Sequence, residues 1–303
     1  MSVDVVVVTR DTRKATLRCL GSVAGARSLG RLVVVDNASS DGTAEAVREA
    51  FPSAAVVERD EALGFGAACN LGAAQGEAEL VLFLNSDAAA REGALDRLAA
   101  QLAATPGAVA AAGRLVSPGT DEPQVGFAVR GFPTLAGQLA VLSGLERAWP
   151  ANPLSRRQAA RDFDYATTHE TDLQPAGACL LCRRSAFEEI GGFDEAFPFW
   201  FEDVDLVRRL RDAGRILYVH DAVFEHEGGL SVRERPGHEL IGARYDGLVR
   251  YFDKHGSVPE RAGIRAAAAL AGAARAAVAL AGRRRREAAA HLHSWAAAAR
   301  LHR

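Results

Sequence analysis

Lysine is nearly missing from this chain: of 303 residues only Lys14 and Lys254 carry that side chain. A nucleotidyltransferase working on sugar phosphates would want a glycine-rich, lysine-bearing loop after its first strand, and Val8-Thr9-Arg10-Asp11 holds neither feature. No GKS or GKT follows a glycine run and no GxGxxG follows the first apolar run, so the ATPase and NAD readings lose ground. Uninterrupted apolar stretches are short, and none is expected to span a bilayer. Asp4 and Arg10 bracket the first apolar run, which excludes a secretory leader there. Cysteine is sparse as well. Cys19, Cys69, Cys179 and Cys182 suggest no disulfide framework in so long a chain. Cys179 and Cys182 form a CxxC, but the intervening leucines and the lack of a second ligand pair read as buried strand rather than structural zinc. A formal charge of -2 gives no global case for nucleic acid. A cytoplasmic protein fits these absences.

What remains is ordinary globular material: 49% hydrophobic and 24% charged, too apolar for disorder and enough for one large α/β domain or two smaller ones. The near-neutral charge hides an asymmetry. Residues 261–303 hold nine arginines (261, 265, 275, 283, 284, 285, 286, 300 and 303) against the single acid Glu287, so the tail is basic and the rest acidic.

The first half alternates apolar strands with helices. Strands are predicted at Val3–Thr9, Arg31–Asp36, 54–58 and Glu79–Leu84, with helices at Thr12–Ala26, 43–50 and 67–75 between them. A helix at 92–104 and a strand at 108–115 follow. This is a βαβ sheet with helices on both faces, and ligands bind such sheets at the carboxyl ends of the strands. Residues 117–175, rich in Pro, Gly and charge, read as a variable insertion forming one wall of a cleft, with helical character at 134–148 and 154–161. Pattern returns as a strand at Gly177–Arg183, helices at Ser185–Ile190 and Glu202–Ala213, strands at Ile216–Val219 and Ala222–Phe224, and helices near 238–254 and 262–282. Three regions result: 1–115, 116–255 and an Ala/Arg-rich helical extension, 256–303.

Chemistry gathers where strands end. Asp87 closes the run Leu80-Val81-Leu82-Phe83-Leu84-Asn85-Ser86-Asp87 and so places a carboxylate at the sheet rim. A surface acid capping the next helix would look the same, but a diphosphate leaving group needs its charge neutralised, and Mg²⁺ or Mn²⁺ on oxygen ligands does that. His226, after Ala222-Val223-Phe224-Glu225, is either structural or the second protein ligand of such an ion. Asp36 at the end of the second strand, opposite Thr9, suits a base edge or a ribose hydroxyl, or else starts an Asx turn. Asp41 reads as an N-cap. Gly64-Phe65-Gly66 and Asn70 put small residues at a helix start, where a phosphate or sugar nucleotide can approach. The densest acidic cluster, Glu202-Asp203-Val204-Asp205, opens a helix and is flanked by Phe199, Trp200 and Phe201. Helix-start amides favour acids there anyway, yet the aromatics suit a sugar cleft. Asp203 and Glu202 are therefore candidates for a general base, with Asp205 turned away to hold local structure.

Together, Val5-Val6-Val7-Val8-Thr9, Val34-Val35-Asp36-Asn37-Ala38-Ser39-Ser40-Asp41-Gly42-Thr43, Leu63-Gly64-Phe65-Gly66-Ala67-Ala68-Cys69-Asn70, Phe83-Leu84-Asn85-Ser86-Asp87 and Gly191-Gly192-Phe193-Asp194-Glu195 leading to Glu202-Asp203-Val204-Asp205-Leu206 resemble the family 2 glycosyltransferases of GT-A fold, in their non-processive, rhamnosyltransferase-like branch. The resemblance spans about residues 3–252. It implies a Rossmann-like, nucleotide-binding mixed sheet, a nucleotide-sugar donor linked to dTDP or UDP, Mg²⁺ or Mn²⁺, and single-displacement inversion at the anomeric carbon. It puts Thr9, Arg10, Asp36, Gly64, Asn70, Asn85 and Ser86 on the donor, Asp87 and His226 on the metal, and Asp203, with Glu202, on the acceptor proton. The branch leans to dTDP-L-rhamnose; a glycan, glycolipid or small molecule would accept the sugar. Four positions depart from the family pattern: Asn85 stands where its metal motif starts with an acid, Arg10-Asp11 replace Tyr-Asn, His220 replaces a proline, and no Gln-x-x-Arg-Trp run follows the base, which argues against a processive synthase. A non-catalytic sugar-binding protein is the other competing class, and it would need no acid at both Asp87 and Asp203. The arginine-rich tail either packs on the domain, rests on anionic lipid at the inner face of the membrane near a lipid-linked acceptor, or joins two copies.

Overall fold

A computed structural model describes residues 1–197, 199–229, 237–282 and 284–299. Arg283, Arg300 and Arg303 of the basic tail lie outside them. One nine-stranded mixed sheet organises the chain, its strands lying in the spatial order 55–59, 29–37, 3–9, 80–85, 179–183, 108–116, 215–226 and 88–90, with 169–170 paired to 215–226. The first four are β1 (Val3–Thr9), β2 (Leu29–Asn37), β3 (Ala55–Arg59) and β4 (Leu80–Asn85). They run parallel, so Thr9, Asp36 and Asn85 end at the same rim. Crossovers α1 (Arg13–Val23), α2 (Thr43–Ala50) and α3 (Phe65–Ala73) connect them.

Both faces of this sheet are covered, which is why its central strands are apolar without alternation. Val3, Val5, Val7, Leu80, Leu82 and Leu84 pack on one side with Cys19 and Leu20 of α1 and with Leu95, Leu98 and Leu102 of α4 (Ala94–Ala104). Val6, Val81 and Phe83 pack on the other with Cys69, Phe187, Phe193, Leu206 and Leu210. Strand β10 (Cys179–Arg183) runs antiparallel between β4 and β6 (Ala108–Val116). Its Cys179 joins the first cluster and Cys182 the second. The two thiols thus point to opposite faces and share no ligand, and burial pushes both upward in pKa, Cys179 to about 12.

Three local expectations change. The two strands expected at 216–219 and 222–224 are one, β11 (Arg215–His226), because His220-Asp221 sit in a register shift against β6 and do not form a turn. A short strand that was not anticipated, β5 (Ala88–Ala90), runs antiparallel to it, pairing Ala88 with His226. The helix expected over 134–148 is split at Ser143-Gly144, where Gly144 takes φ 80°, into α5 (Leu135–Leu142) and α6 (Leu145–Ala148). The rest of the insertion comprises α7 (Pro153–Gln158), β8 (His169–Glu170) and a two-stranded ribbon of β7 (Val129–Arg130) with β9 (Gln174–Pro175).

After α8 (Arg184–Glu189) and α9 (Glu202–Ala213), the chain ends in α10 (Gly237–His255), α11 (Val258–Ala281) and α12 (Arg285–Ala299). Helix α11 starts in a capping box, with Glu260 accepting from the Ser257 amide at 2.9 Å. At 24 residues, with a mean hydropathy of 1.5 over an 18-residue window, it is long and apolar enough to cross a membrane by length and composition, although charged residues interrupt its apolar run. Arginines hide this in the sequence. In the fold Arg265 pairs with Asp253, and Arg275 turns to Tyr245 and the Leu142 carbonyl, so these charges are spent on the protein side. Leu270 and Val278 remain largely exposed.

Close helix–sheet packing depends on Gly72, where a Cβ would lie 2.4 Å from Val6 Cγ1. Gly72→Ala is expected to cost about 1–3 kcal/mol in urea denaturation. Gly21→Ala, whose Cβ would meet only Phe51 at 4.0 Å, should be neutral or slightly stabilising; equal losses would contradict this packing.

Candidate active site

A cavity of about 530 Å³ opens at the carboxyl rim of the sheet. Thr9, Arg10, Asn85, Ser86 and His226 line it from the strand ends, and Glu202 and Asp203 from the start of α9. Asp36, Gly64, Asn70 and Asp87 are not among its lining residues.

Asp87 is buried just behind the rim, and its Oδ1 lies 3.3 Å from His226 Nε2. Pairing of Ala88 with His226 produces this proximity, reinforced by the Glu227 amide donating to the Asp87 carbonyl at 3.1 Å. The imidazole is oriented by a residue the sequence did not single out. Gln124 Nε2 donates to the His226 carbonyl at 2.6 Å, which turns Gln124 Oε1 toward His226 Nδ1 at 2.9 Å. Nδ1 therefore carries a proton, and in the neutral ring Nε2 offers its lone pair toward Asp87 and Asn85. Phe127 stacks on the ring with centroids 4.8 Å apart. Asp87 and His226 are the pair that could take a divalent ion; among the described residues no group of three or more His, Cys, Asp or Glu side chains converges.

On the donor side, Thr9 joins a buried hydroxyl network: Thr9 to Thr16 at 2.7 Å, Thr9 to Thr12 at 2.9 Å and Thr12 to Ser86 at 3.1 Å. It ties the ends of β1 and β4 to the start of α1. Asp36 Oδ1 accepts from the Ser39 amide at 2.8 Å, making a local turn, while Oδ2 is buried without a partner. A buried carboxylate oxygen left open is costly unless a ligand donor reaches it. Asp41 lies one residue before the α2 N-cap, Gly42, and its carboxylate takes the amides of both Thr43 and Arg13. Gly64 is the N-cap of α3. Asn70 spends its amide on the loop before α9, donating to the Phe193 carbonyl at 2.9 Å and accepting from the Phe193 amide at 2.9 Å.

That loop sets the opposite wall. Arg209 donates to the carbonyls of Ile190 and Gly192 and to Asp205. Asp205 has no exposed side-chain surface and also receives His255 Nε2 at 2.7 Å. Burial alone would raise the Asp205 carboxyl; hydrogen bonds from His255 and Lys254, with Arg209 beside it, outweigh that and hold it at about 2. The third acid of the cluster is thus the anchor of α9. Trp200 and Phe201, at φ 64° and 69°, form a left-handed turn that is strained for aromatic residues. Gly247 of α10 lets it fit, since a Cβ there would lie 2.8 Å from the Trp200 carbonyl.

The two remaining acids differ. Asp203 accepts three N–H groups: Gly177 at 3.0 Å and Gln174 at 3.3 Å on Oδ2, and Val204 at 2.8 Å on Oδ1. Glu202 is buried with Oε2 unpartnered, and burial first, then the charge of Asp203, push its carboxyl up to about 8. Burial without a partner thus favours the protonated form of Glu202, while Asp203 is braced by its amide donors. Gln124, Phe127, Arg130 and Gln174 escaped the sequence reading because the insertion carries no periodic pattern or motif that marks them.

Comparison with known proteins agrees with this architecture. Residues 4–191 match the model of "Glycosyl transferase family 2". The N-acetylglucosaminyl-diphospho-decaprenol L-rhamnosyltransferase of Mycobacterium tuberculosis is 30% identical over 256 residues, 79% of this chain and 81% of that protein. A pre-mycofactocin glycosyltransferase of the same species is 30% identical over 77% of this chain but only 44% of its own length. Among solved structures, a mannosyltransferase from Pyrobaculum calidifontis in complex with GDP-mannose and Mn²⁺ aligns with a TM-score of 0.53 at 21% identity, covering 96% of this chain and 85% of its own. Staphylococcus aureus TarS 1–349 in complex with UDP-GlcNAc gives 0.54 at 17%, covering 98% and 91%. At such identities these two speak for the GT-A fold alone.

The raised Glu202 carboxyl predicts a pH signature. The unfolded chain loses that proton near its ordinary 4.5 and the folded protein near 8. The folded state therefore binds the extra proton in between, and stability declines as pH rises across that window. Measured by urea denaturation, the wild type should lose stability relative to Glu202→Gln between pH 5 and 8; parallel profiles would contradict the burial of a protonated Glu202.

Proposed function

Because the chain belongs to glycosyl transferase family 2, we propose that this glycosyltransferase moves an L-rhamnosyl group from dTDP-L-rhamnose to a hydroxyl of a glycan acceptor, with inversion at the anomeric carbon. The observation that carries this reading is the meeting, in one cavity, of His226 backed by Asp87 and the separated carboxyl pair Glu202 and Asp203. The likeness to the mycobacterial rhamnosyltransferase supports the choice of sugar.

The residues divide the work. Asp36 Oδ2, buried and open, suits a hydroxyl or N–H of the nucleoside, with Thr9 and Arg10 beside it. Asn85 and Ser86 face the diphosphate. Asp203, held in place by Gly177, Gln174 and Val204, takes the acceptor proton. The acceptor oxygen then bonds to C1 as the bond from C1 to the diphosphate oxygen breaks, and the electron pair leaves on the diphosphate. Glu202, protonated beneath Asp203, adds no second negative charge next to the base. Asp87 and His226 fit a divalent cation, since Gln124 leaves the Nε2 lone pair turned toward the carboxylate. Bound there with the donor, Mg²⁺ or Mn²⁺ would neutralise charge growing on the leaving diphosphate.

Asn85 supplies no charge, so Asp87 carries the acidic share of that pair. Asp87→Ala should abolish Mn²⁺-dependent dTDP binding in calorimetry, whereas Asn85→Ala weakens it about tenfold or less; equal losses would overturn the assignment, and no metal-dependent nucleotide binding by the wild type would overturn the function.

We further assign the helical extension a peripheral contact with anionic lipid. Leu270, Val278 and Leu280 are exposed on α11, and Arg284 to Arg286 follow within five residues of its end. The protein should co-sediment with vesicles containing phosphatidylglycerol, and the double variant Leu270→Asp, Val278→Asp should lose that association. Unchanged sedimentation would leave the extension as a packing element.

A further inference from the structure

The cavity extends beyond the donor side to a second wall built from the insertion: Arg130, Gln138, Gln158 and Gln174, with the aromatic turn before Glu202. Arg130 is the cation of this wall. Its Nε is buried with no hydrogen-bond partner. Gln158 Oε1, on the same wall, is likewise buried and unpartnered. Leaving a guanidinium N–H shielded from water and unpaired is unfavourable, and a site keeps such a group for a ligand.

The obvious partners are in the same cavity and are not used. Among the described residues no ion pair joins Arg130 to Glu202 or Asp203. The causes that raise Glu202 are burial and the charge of Asp203, with no arginine opposing them. The guanidinium is thus not paired with either acid. The scaffold that carries it is the β7–β9 ribbon, in which Arg130 pairs with Gln174. Directly opposed residues of an antiparallel pair project to the same side. Gln174 uses its side chain to hold Asp203, so the ribbon sets the cation beside the base. Neighbouring backbone fixes the ribbon further, with Gly131 donating to the Gln158 carbonyl at 2.9 Å and Ala176 to the Ala128 carbonyl at 3.0 Å.

We infer that Arg130 is the anion subsite of the acceptor: it binds a phosphate or diphosphate attached to the sugar whose hydroxyl faces Asp203. Its planar fork suits the oxygens of a phosphate ester, and its fixed placement beside the base orients the accepting sugar. Gln158 Oε1 and Gln138 offer hydrogen bonds to the hydroxyls of that sugar. The enzyme on this view requires a phosphorylated acceptor and disfavours the same sugar without the anion. This inference rests on the glycosyltransferase reading above.

Two sources of phosphate compete for the assignment, the acceptor and the donor diphosphate, and the experiment separates them. Two probes are compared, N-acetylglucosaminyl diphosphate carrying an undecyl chain and octyl N-acetylglucosaminide, which lacks phosphate. With wild-type enzyme, dTDP-L-rhamnose and Mn²⁺, kcat/KM should be at least tenfold higher for the first. Arg130→Gln should raise KM for the diphosphate probe about tenfold or more, remove its advantage over the neutral probe, and leave the Kd for dTDP with Mn²⁺ unchanged. Arg130→Lys, which keeps charge but loses the fork, should recover part of the loss. Weakened dTDP binding by Arg130→Gln would move the residue to the donor side, and an undiminished preference for the diphosphate probe would likewise overturn the inference. A wild type that binds no dTDP would instead defeat the underlying reading.

Discussion

Three residue pairs between β5 and the far end of β11 hold the two halves of the site together. Ala88 to Ala90 run against Phe224 to His226, and this short ladder brings the end of the first half of the chain against the last strand of the second half. Without it Asp87 would be a carboxylate at a loop and His226 a histidine at a strand end. With it the two lie 3.3 Å apart and buried, where neither can be satisfied by bulk water. Backbone pairing thus supplies what side-chain attraction alone could not, since burying two polar groups costs free energy unless their geometry is imposed.

The opposite wall uses a different device. Three acids in four positions would repel one another if all were ionised side by side, and the fold gives each a separate fate. Asp205 is surrounded by His255, Lys254 and Arg209 and becomes a structural anchor. Asp203 is braced by amides that Gly177 brings within 3.0 Å, an approach that a side chain at that position would block. Glu202 is buried without a counter-charge and keeps its proton. One helix start therefore yields an anchor, a carboxyl braced by amides and a protonated neighbour, through environment alone.

Much of this was legible in the chain. The apolar runs Val3–Thr9 and Leu80–Leu84, covered on both faces, announced a parallel sheet, and Asn85-Ser86-Asp87 at the end of one announced its functional rim. The position of Asp205 two residues beyond Asp203 on a helix already turned it away. Less legible was the insertion, whose helices break at Ser143-Gly144 and whose ribbon is only two residue pairs long. Gln124 and Gln174 touch His226 and Asp203 across long stretches of chain, Arg130 lines the cavity, and no periodicity records such contacts. The apolar length of Val258–Ala281 was masked in the same way, because Arg265 and Arg275 read as surface charge until their partners Asp253 and Tyr245 are seen.

Local order in the sequence determined the elements, the rim where chemistry sits and the identity of the acids Asp36, Asp87, Glu202 and Asp203, because strand burial and helix starts leave periodic and positional marks. Tertiary structure alone decided which of these meet. It set Asp87 beside His226 across 138 intervening positions, left Asp36 Oδ2 and Arg130 Nε without partners, and raised Glu202 while tying down Asp203. Those outcomes depend on register, desolvation and charge at a few ångströms, quantities that exist only once distant segments are packed against each other.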